Sequence, residues 1–291
     1  MNVPSDSVLC VGEVLWDALP AGLFLGGAPF NVASHLRQLG RPATLASRVG
    51  DDALGHEALR RIAAGGLDPA LVQTDPLLPT GFVRVRVDAA GIPDYDIVEP
   101  SAWDALVADA HLLRVAGAAR AVVFGSLAQR QFASREAVHA VVAASRLAVF
   151  DVNLRPPHVD PAVVEASLHA ADVVKLNEDE LNVLTDGSGG FWDRVERLAD
   201  EFGCRVVCVT RGGAGAALWR DGFRTEHPGY TVPVADTVGA GDAFLAAFLD
   251  AFLDGRPDDE ALDRACRLGA FVASRPGATP AHDAAAIAAL R

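Results

Sequence analysis

Asp236-Thr237-Val238-Gly239-Ala240-Gly241-Asp242-Ala243-Phe244 is the stretch around which the rest of the chain can be read. Two glycines flank Ala240, a carboxylate follows, and the apolar run Phe244–Leu249 then has the texture of a buried helix. Glycine lets backbone approach a ligand closely, and a helix start offers unpaired N–H groups to an anion. Asp242 thus stands where a phosphate would be held. Two readings fit it here. It is either an acidic first-turn residue that favours the helix dipole, or the base of a phosphoryl transfer. In the second case amides stabilise the moving phosphoryl and the carboxylate takes the proton of the attacking hydroxyl.

Composition narrows the classes. With 291 residues the chain can bury a sizeable core, and it is 51% hydrophobic but only 7% aromatic. A formal charge of −13 argues against nucleic acid or an anionic membrane surface as partner. Lys175 is the only lysine, and no G-x-x-x-x-G-K-[ST] surrounds it, which excludes a Walker A loop. Cys10, Cys204, Cys208 and Cys266 are scattered in apolar contexts and read as reduced core residues. No signal peptide opens the chain and no apolar run is long enough for a bilayer, so a cytoplasmic protein is expected.

Working backwards, the pattern is that of alternating strands and helices. Val8–Val11 reads as a buried strand ending at Gly12, with Glu13–Asp17 continuing it. Gly26-Gly27-Ala28-Pro29-Phe30-Asn31 leads into a helix over Val32–Leu39 that Gly40 stops. A strand at Thr44–Val49 and a helix to about Ala64 follow. Phe82–Val87 and Pro93–Val98 alternate with period two around a turn at Asp88–Gly91, which predicts a half-exposed hairpin. From Ala121 onward, strands at Ala121–Phe124, Leu147–Phe150, Asp172–Leu176 and Arg205–Thr210 alternate with helices near 134–145, 161–170 and 191–202. Helices near 240–254, 258–274 and 283–290 end the chain.

This predicts one α/β domain over residues 1–291, with a doubly wound, mainly parallel sheet and helices on both faces. A small β-sheet lid, discontinuous in sequence, is expected from about 12–27 and 78–100. Ligands in such sheets bind beyond the carboxyl ends of the strands. The groups there are Ser126, Asp151–Arg155, Asn177–Glu180 and Arg211–Gly213. Gly213-Ala214-Gly215 precedes a strand and hairpin turn, not a helix, so a dinucleotide loop is disfavoured. Ser126 lacks a G-x-S-x-G elbow, and the histidines show no metal-ligand spacing.

The motif at Asp236–Phe244, together with Gly26–Ala33, Val49–Asp52 and Lys175–Glu180 in that order, resembles the ribokinase-like carbohydrate kinases of the phosphofructokinase B family. The resemblance spans essentially the whole chain and implies ATP-dependent phosphorylation of a sugar. It makes Asp242 the catalytic base and the amides of Gly239, Ala240 and Gly241 the anion hole. Asn177 and Glu180 would organise phosphate and hydrated Mg²⁺, or be only a helix-start cap. Thr210, Arg211 and Gly213 fall where the family meets the nucleotide. Asp17, Gly27 and Asn31 match sugar-contacting positions, with turn chemistry the alternative for Asp17 and a helix cap for Asn31. Arg155 would meet an anion or form a surface ion pair. Asp236, the carbonyl of Val238 and the 274–278 loop resemble a monovalent-cation site for K⁺. Phe30 stands where many relatives carry a small residue.

Within the family, Gly12–Asp17, Gly91–Ile97, Ala102–Asp104 and Gly125–Arg130 are similar to bacterial fructokinases. Fructose is the expected substrate, with 2-keto-3-deoxygluconate, another sugar of the family, or a non-catalytic sugar-binding regulator as alternatives. A homodimer through the lid is expected.

Overall fold

Val8-Leu9-Cys10-Val11 is apolar on both sides, and in the computed structural model it forms strand β1 (Val8–Val11), buried on both faces. The structure describes residues 4, 6–19, 22–87 and 93–290. The expected turn at Asp88–Gly91, and Ile92 after it, lie outside these. After β1 the chain does not continue straight into Glu13–Asp17 as the sequence suggested. Gly12 has φ +149, and a Cβ there would stand 2.8 Å from Pro29, so the backbone breaks against the start of the next helix. Leu15–Leu19 becomes β2, paired with β3 (Gly22–Gly26) in a separate small sheet.

Helix α1 (Ala28–Gln38), β4 (Ala43–Gly50), α2 (Ala53–Ala64) and β5 (Val72–Asp75) return to the main sheet. Asp52 caps α2 by accepting from the Gly55 amide at 2.7 Å. β6 (Gly81–Val87) and β7 (Pro93–Ile97) complete the small sheet, whose order is β3-β2-β6-β7. Then follow α3 (Ala110–Ala118), β8 (Ala121–Gly125), α4 (Phe132–Ala143), β9 (Ala148–Asp151), α5 (Pro161–Ala170), β10 (Val173–Asn177), α6 (Glu178–Leu184), α7 (Phe191–Phe202) and β11 (Val206–Thr210). The hairpin β12 (Ala216–Arg220) and β13 (Phe223–His227) closes one edge, and α8 (Ala240–Leu253), α9 (Asp258–Ala273) and α10 (Ala284–Ala288) follow.

The main sheet has nine strands in the order β13-β12-β11-β10-β9-β8-β1-β4-β5. The strands from β5 to β11 along it are parallel, and only the pairings β11–β12 and β12–β13 are antiparallel. Because a strand's side chains alternate, each strand feeds two cores. Val8, Cys10, Val123, Val149 and Val173 face α1, α2, α8 and α9, whereas Leu9, Val11, Phe124, Phe150 and Val174 face α3, α4, α5 and α7. β1 pairs with both β4 and β8, so the winding reverses there and a crevice opens at the carboxyl ends. No helix among the described residues is long and apolar enough to cross a membrane.

Two buried arginines hold the parts that flank that crevice. Arg41 donates to the Asp250 side chain at 2.7 Å and to the Asp250 carbonyl at 3.0 Å, fixing the far end of α8. Arg130, after β8, donates to Asp104 at 2.8 Å and to the Val98 carbonyl at 2.9 Å, which anchors the end of the small sheet.

Candidate active site

Gly239 starts α8 in the left-handed region, with φ +77, and a Cβ there would fall 2.5 Å from the Ala278 carbonyl oxygen. Glycine is required on both counts. The first turn of α8 carries the positive end of the helix dipole, and there the Ala240 amide donates to the Thr237 carbonyl at 3.2 Å. Asp242 lies within this turn, where Asn31 Nδ2 donates to its Oδ2 at 2.7 Å. Burial pushes the Asp242 carboxyl up to about 6, helped by Asp151 and opposed by Lys175, Asn31 and Arg155. A carboxylate so tuned can receive a proton near neutral pH.

The alternative reading of Asn31, a helix cap, is not what the structure shows. Gly27 is the N-cap of α1, Asn31 is in the first turn after it, and its Oδ1 is buried without a partner among the described residues. Gly27 has φ +110, and a Cβ there would meet the Glu13 carbonyl at 2.4 Å, so glycine lets α1 start against the β1–β2 connection. Glu13 reaches across this junction, its Oε1 accepting from the Ala28 amide at 3.2 Å while Oε2 has no protein partner. Burial, offset in part by backbone hydrogen bonds, raises Glu13 to about 7. Asp17 on β2 lies over Gly26, where a Cβ would stand 2.4 Å from its Oδ2. Burial pushes Asp17 up to about 6, with Arg155 pulling it down. Arg155 is exposed and forms no ion pair among the described residues; it donates to the Leu154 carbonyl at 3.2 Å. Phe30 is packed in the core and lines a second cavity, between α1, α2 and residues 276–281.

On the other side of α8's first turn lies an apolar cleft of about 440 Å³, lined among others by Thr210, Gly213, Tyr230, Ala240, Gly241 and Phe244. Arg211, grouped with Thr210 and Gly213 from sequence, does not line it. Its guanidinium pairs with Glu226 at 3.1 Å and lies over Phe191. Asn177 and Glu180 make a reciprocal capping box: the Glu180 amide donates to Asn177 Oδ1, and the Asn177 amide to Glu180 Oε2, each at 2.8 Å. Glu180 Oε1 accepts from Leu154 at 2.8 Å, so it also ties β9's exit loop to β10. Asp236 accepts from the Val238 amide at 3.0 Å and the Gly277 amide at 3.3 Å, joining the glycine turn to the 274–278 loop. Ala278 is held in turn by His35, whose Nε2 lies 2.9 Å from its carbonyl. A carbonyl only accepts, so Nε2 carries the proton and Nδ1 accepts from His282 Nε2 at 3.1 Å.

A helix start, a neighbouring carboxylate and a cleft meet at one place, and comparison with known sequences is decisive. The profile of the pfkB family carbohydrate kinases matches residues 19–285. The chain belongs to this family. Fructokinase-1 of Oryza sativa subsp. japonica is 31% identical over 306 residues, covering 95% of this kinase and 94% of the relative. The structure is similar to that of fructokinase from Vibrio cholerae O395 in its fructose, ADP and potassium ion bound form, at 25% identity and a TM-score of 0.84 over 100% and 99% of the two chains. It is also similar to a sugar kinase of Pyrococcus horikoshii in complex with ATP, at 27% identity and a TM-score of 0.78 over 94% of each. This chain is an ATP-dependent sugar kinase with the ribokinase-like fold.

The sequence reading passed over three of the kinase's charged groups at this place: Glu13 as a site residue, and Asp151 with Lys175 as a pair. Lys175 Nζ donates to Asp151 Oδ1 at 2.9 Å, both side chains being buried. The signal was present, since a lysine inside Val-Val-Lys-Leu must be paired once buried.

Proposed function

We propose that the kinase phosphorylates fructose, with Asp242 as the base and the Gly239–Gly241 amides as the anion hole. The observation that carries this is the pair of buried oxygens without a partner among the described residues, Asn31 Oδ1 and Glu13 Oε2, near Asp17 and Asp242. An unpaired buried acceptor costs about 1–3 kcal/mol, so the site suits a ligand rich in hydroxyl donors. ATP lies in the apolar cleft, with Thr210 and Gly213 beside it and its γ-phosphoryl at the start of α8. A sugar hydroxyl held next to Asp242 attacks the γ-phosphorus, its proton passes to the carboxylate, the bond to the β-phosphate oxygen breaks, and ADP leaves.

Among the described residues no group of three or more His, Cys, Asp or Glu could hold a metal ion, and a Mg²⁺ carried by the nucleotide would keep much of its water shell. Asn177 and Glu180 would meet its water shell, and the ion supplies charge neutralisation on the phosphates. K⁺ at Asp236 and the Val238 carbonyl would steady the glycine turn, a role that fits Asp236 as the tie between that turn and Gly277. The exposed Arg155, without an ion pair among the described residues, supports a second reading, a sugar acid such as 2-keto-3-deoxygluconate, whose carboxylate it would bind. ATP consumption with a panel of fructose, ribose, 2-keto-3-deoxygluconate and nucleosides, in potassium and in sodium buffer, decides among these. Fructose turning over fastest supports the first reading; the sugar acid doing so replaces it. Equal rates in the two buffers remove K⁺.

A further inference from the structure

Lys175 is the only lysine of the chain, and it is buried in the middle of a parallel strand. Register explains its partner: β10 pairs with β9 so that Lys175 stands directly opposite Asp151. Alternation places both on the face of the sheet that carries α1, α8 and α9, because their neighbours Val173 and Val149 belong to that core. The first turn of α8 sits against the pair. A Cβ on Gly241 would stand 3.0 Å from Lys175 Nζ, so the second glycine of the motif makes room for the ammonium. Asp151 Oδ2 is buried with no partner among the described residues, and Lys175 is the ion-pair neighbour that offsets the carboxylate's charge.

A strand-to-strand brace is the simplest account of such a pair, but it is a poor one. Two buried charges are rarely more stabilising than an apolar pair of similar volume, and either one alone is strongly unfavourable. Their setting points elsewhere. Asp242 is faced by Asp151, Glu13 and Asp17 as like charges, and by Lys175 and Arg155 as opposite ones, with Asn31 hydrogen-bonded to it. Of those two cations only Lys175 is buried. Burial works against its ammonium, yet Asp151, Asp242 and Glu180 outweigh that and hold it charged.

We propose that Lys175, oriented by Asp151, is a positioning residue for phosphoryl transfer: its ammonium, seated beneath Gly241, fixes the first turn of α8 and supplies the buried positive charge that Asp242 faces. The inference rests on Asp242 being the base. It predicts opposite effects from the two halves of the pair. Without Lys175 the base faces an excess of negative charge, and without Asp151 it faces an excess of positive charge.

The test is the pH dependence of kcat/KM for the full chain, with MgATP and the fastest sugar of the panel above. Lys175→Met should lower kcat at least tenfold and move the acid limb up by about one pH unit. Asp151→Asn should move the limb down, and Lys175→Arg, which keeps the charge, should leave it in place. Limbs of Lys175→Met and Asp151→Asn that coincide with wild type, or move the same way, overturn the proposal. If Lys175→Met does not fold, Asp151→Asn decides alone: a lower limb supports the proposal, and an unmoved or higher one overturns it. An Asp242→Asn enzyme that keeps its turnover sinks the base assignment instead, whereas an inactive one beside unmoved limbs sinks only the role of Lys175.

Discussion

Asn31, in the first turn of α1, donates a 2.7 Å hydrogen bond to Asp242, in the first turn of α8, across 211 residues of sequence. Two helix starts are thereby brought to one point, one with Asp17 and Glu13 beside it and the other facing the apolar cleft.

Removing the carboxylate's basicity should stop chemistry without stopping binding. Asp242→Asn is expected to lower kcat by about 10²–10⁴-fold. Calorimetric affinities for ATP and sugar should stay close to wild type. A kcat within about threefold of wild type would mean that another group takes the proton.

The pH profile follows from the same carboxyl. Its value of about 6 means that Asp242 is protonated and unable to accept a proton below that pH, so kcat/KM should fall on the acid side. Asn31 stabilises the ionised form by hydrogen bonding, hence Asn31→Ala raises the carboxyl further. The acid limb of Asn31→Ala should therefore lie at higher pH, with activity lost most at pH 6 and partly regained at pH 8. A limb displaced downwards would contradict the hydrogen bond's direction.

Asp17→Ala should weaken sugar binding far more than ATP binding, because it removes an acceptor for sugar hydroxyls at about 1–3 kcal/mol. Equal losses for the two ligands in a folded variant would make Asp17 a structural residue of the small sheet.

Gly239→Ala tests the anion hole by geometry alone. The left-handed φ and the 2.5 Å approach to the Ala278 carbonyl both resist a side chain. Strain of about 1–3 kcal/mol should lower Tm by several degrees and displace the amides, with kcat falling at least tenfold. Wild-type kcat in this variant would show that these amides are not used.

The small sheet carries the prediction of greatest reach. An isolated few-stranded sheet with an apolar face needs cover. Arg130 ties its end to Asp104 and the Val98 carbonyl, and β2 pairs with β6 at its centre. We expect it to close over sugar and to pair with a second copy. Light scattering should give a dimer, and sugar should protect the amides of 81–87 and 93–97 from exchange more than ATP alone. A monomer, or exchange indifferent to sugar, would leave it a static wall.

Much of this architecture was legible in the sequence because local signals agreed with the global fold. Asp160 with Pro161, and Gly203 in the left-handed region, set the limits of α5 and the end of α7 where the pattern placed them. What was missed had weak local signals. β5 is a four-residue edge strand of mixed polarity, and α3 is a nine-residue helix whose periodicity is interrupted by Gly117. The site was legible where a motif is contiguous, as in Gly239–Asp242. It was not legible where register brings residues together: nothing near Asp151 announces Lys175, and nothing in Arg211 announces Glu226.

The contact between Gly239 and Ala278 has a further consequence for how this chain can vary. A Cβ on Gly239 would stand 2.7 Å from the Cβ of Ala278, so the two positions exclude each other's growth. His35 holds the Ala278 carbonyl from behind, which leaves the loop little freedom to retreat. A loop after α9, 36 residues beyond Asp242, is therefore as intolerant of enlargement at Ala278 as the interior of the core. Lineages of this kinase should drift at the exposed Pro276 before they drift at Ala278.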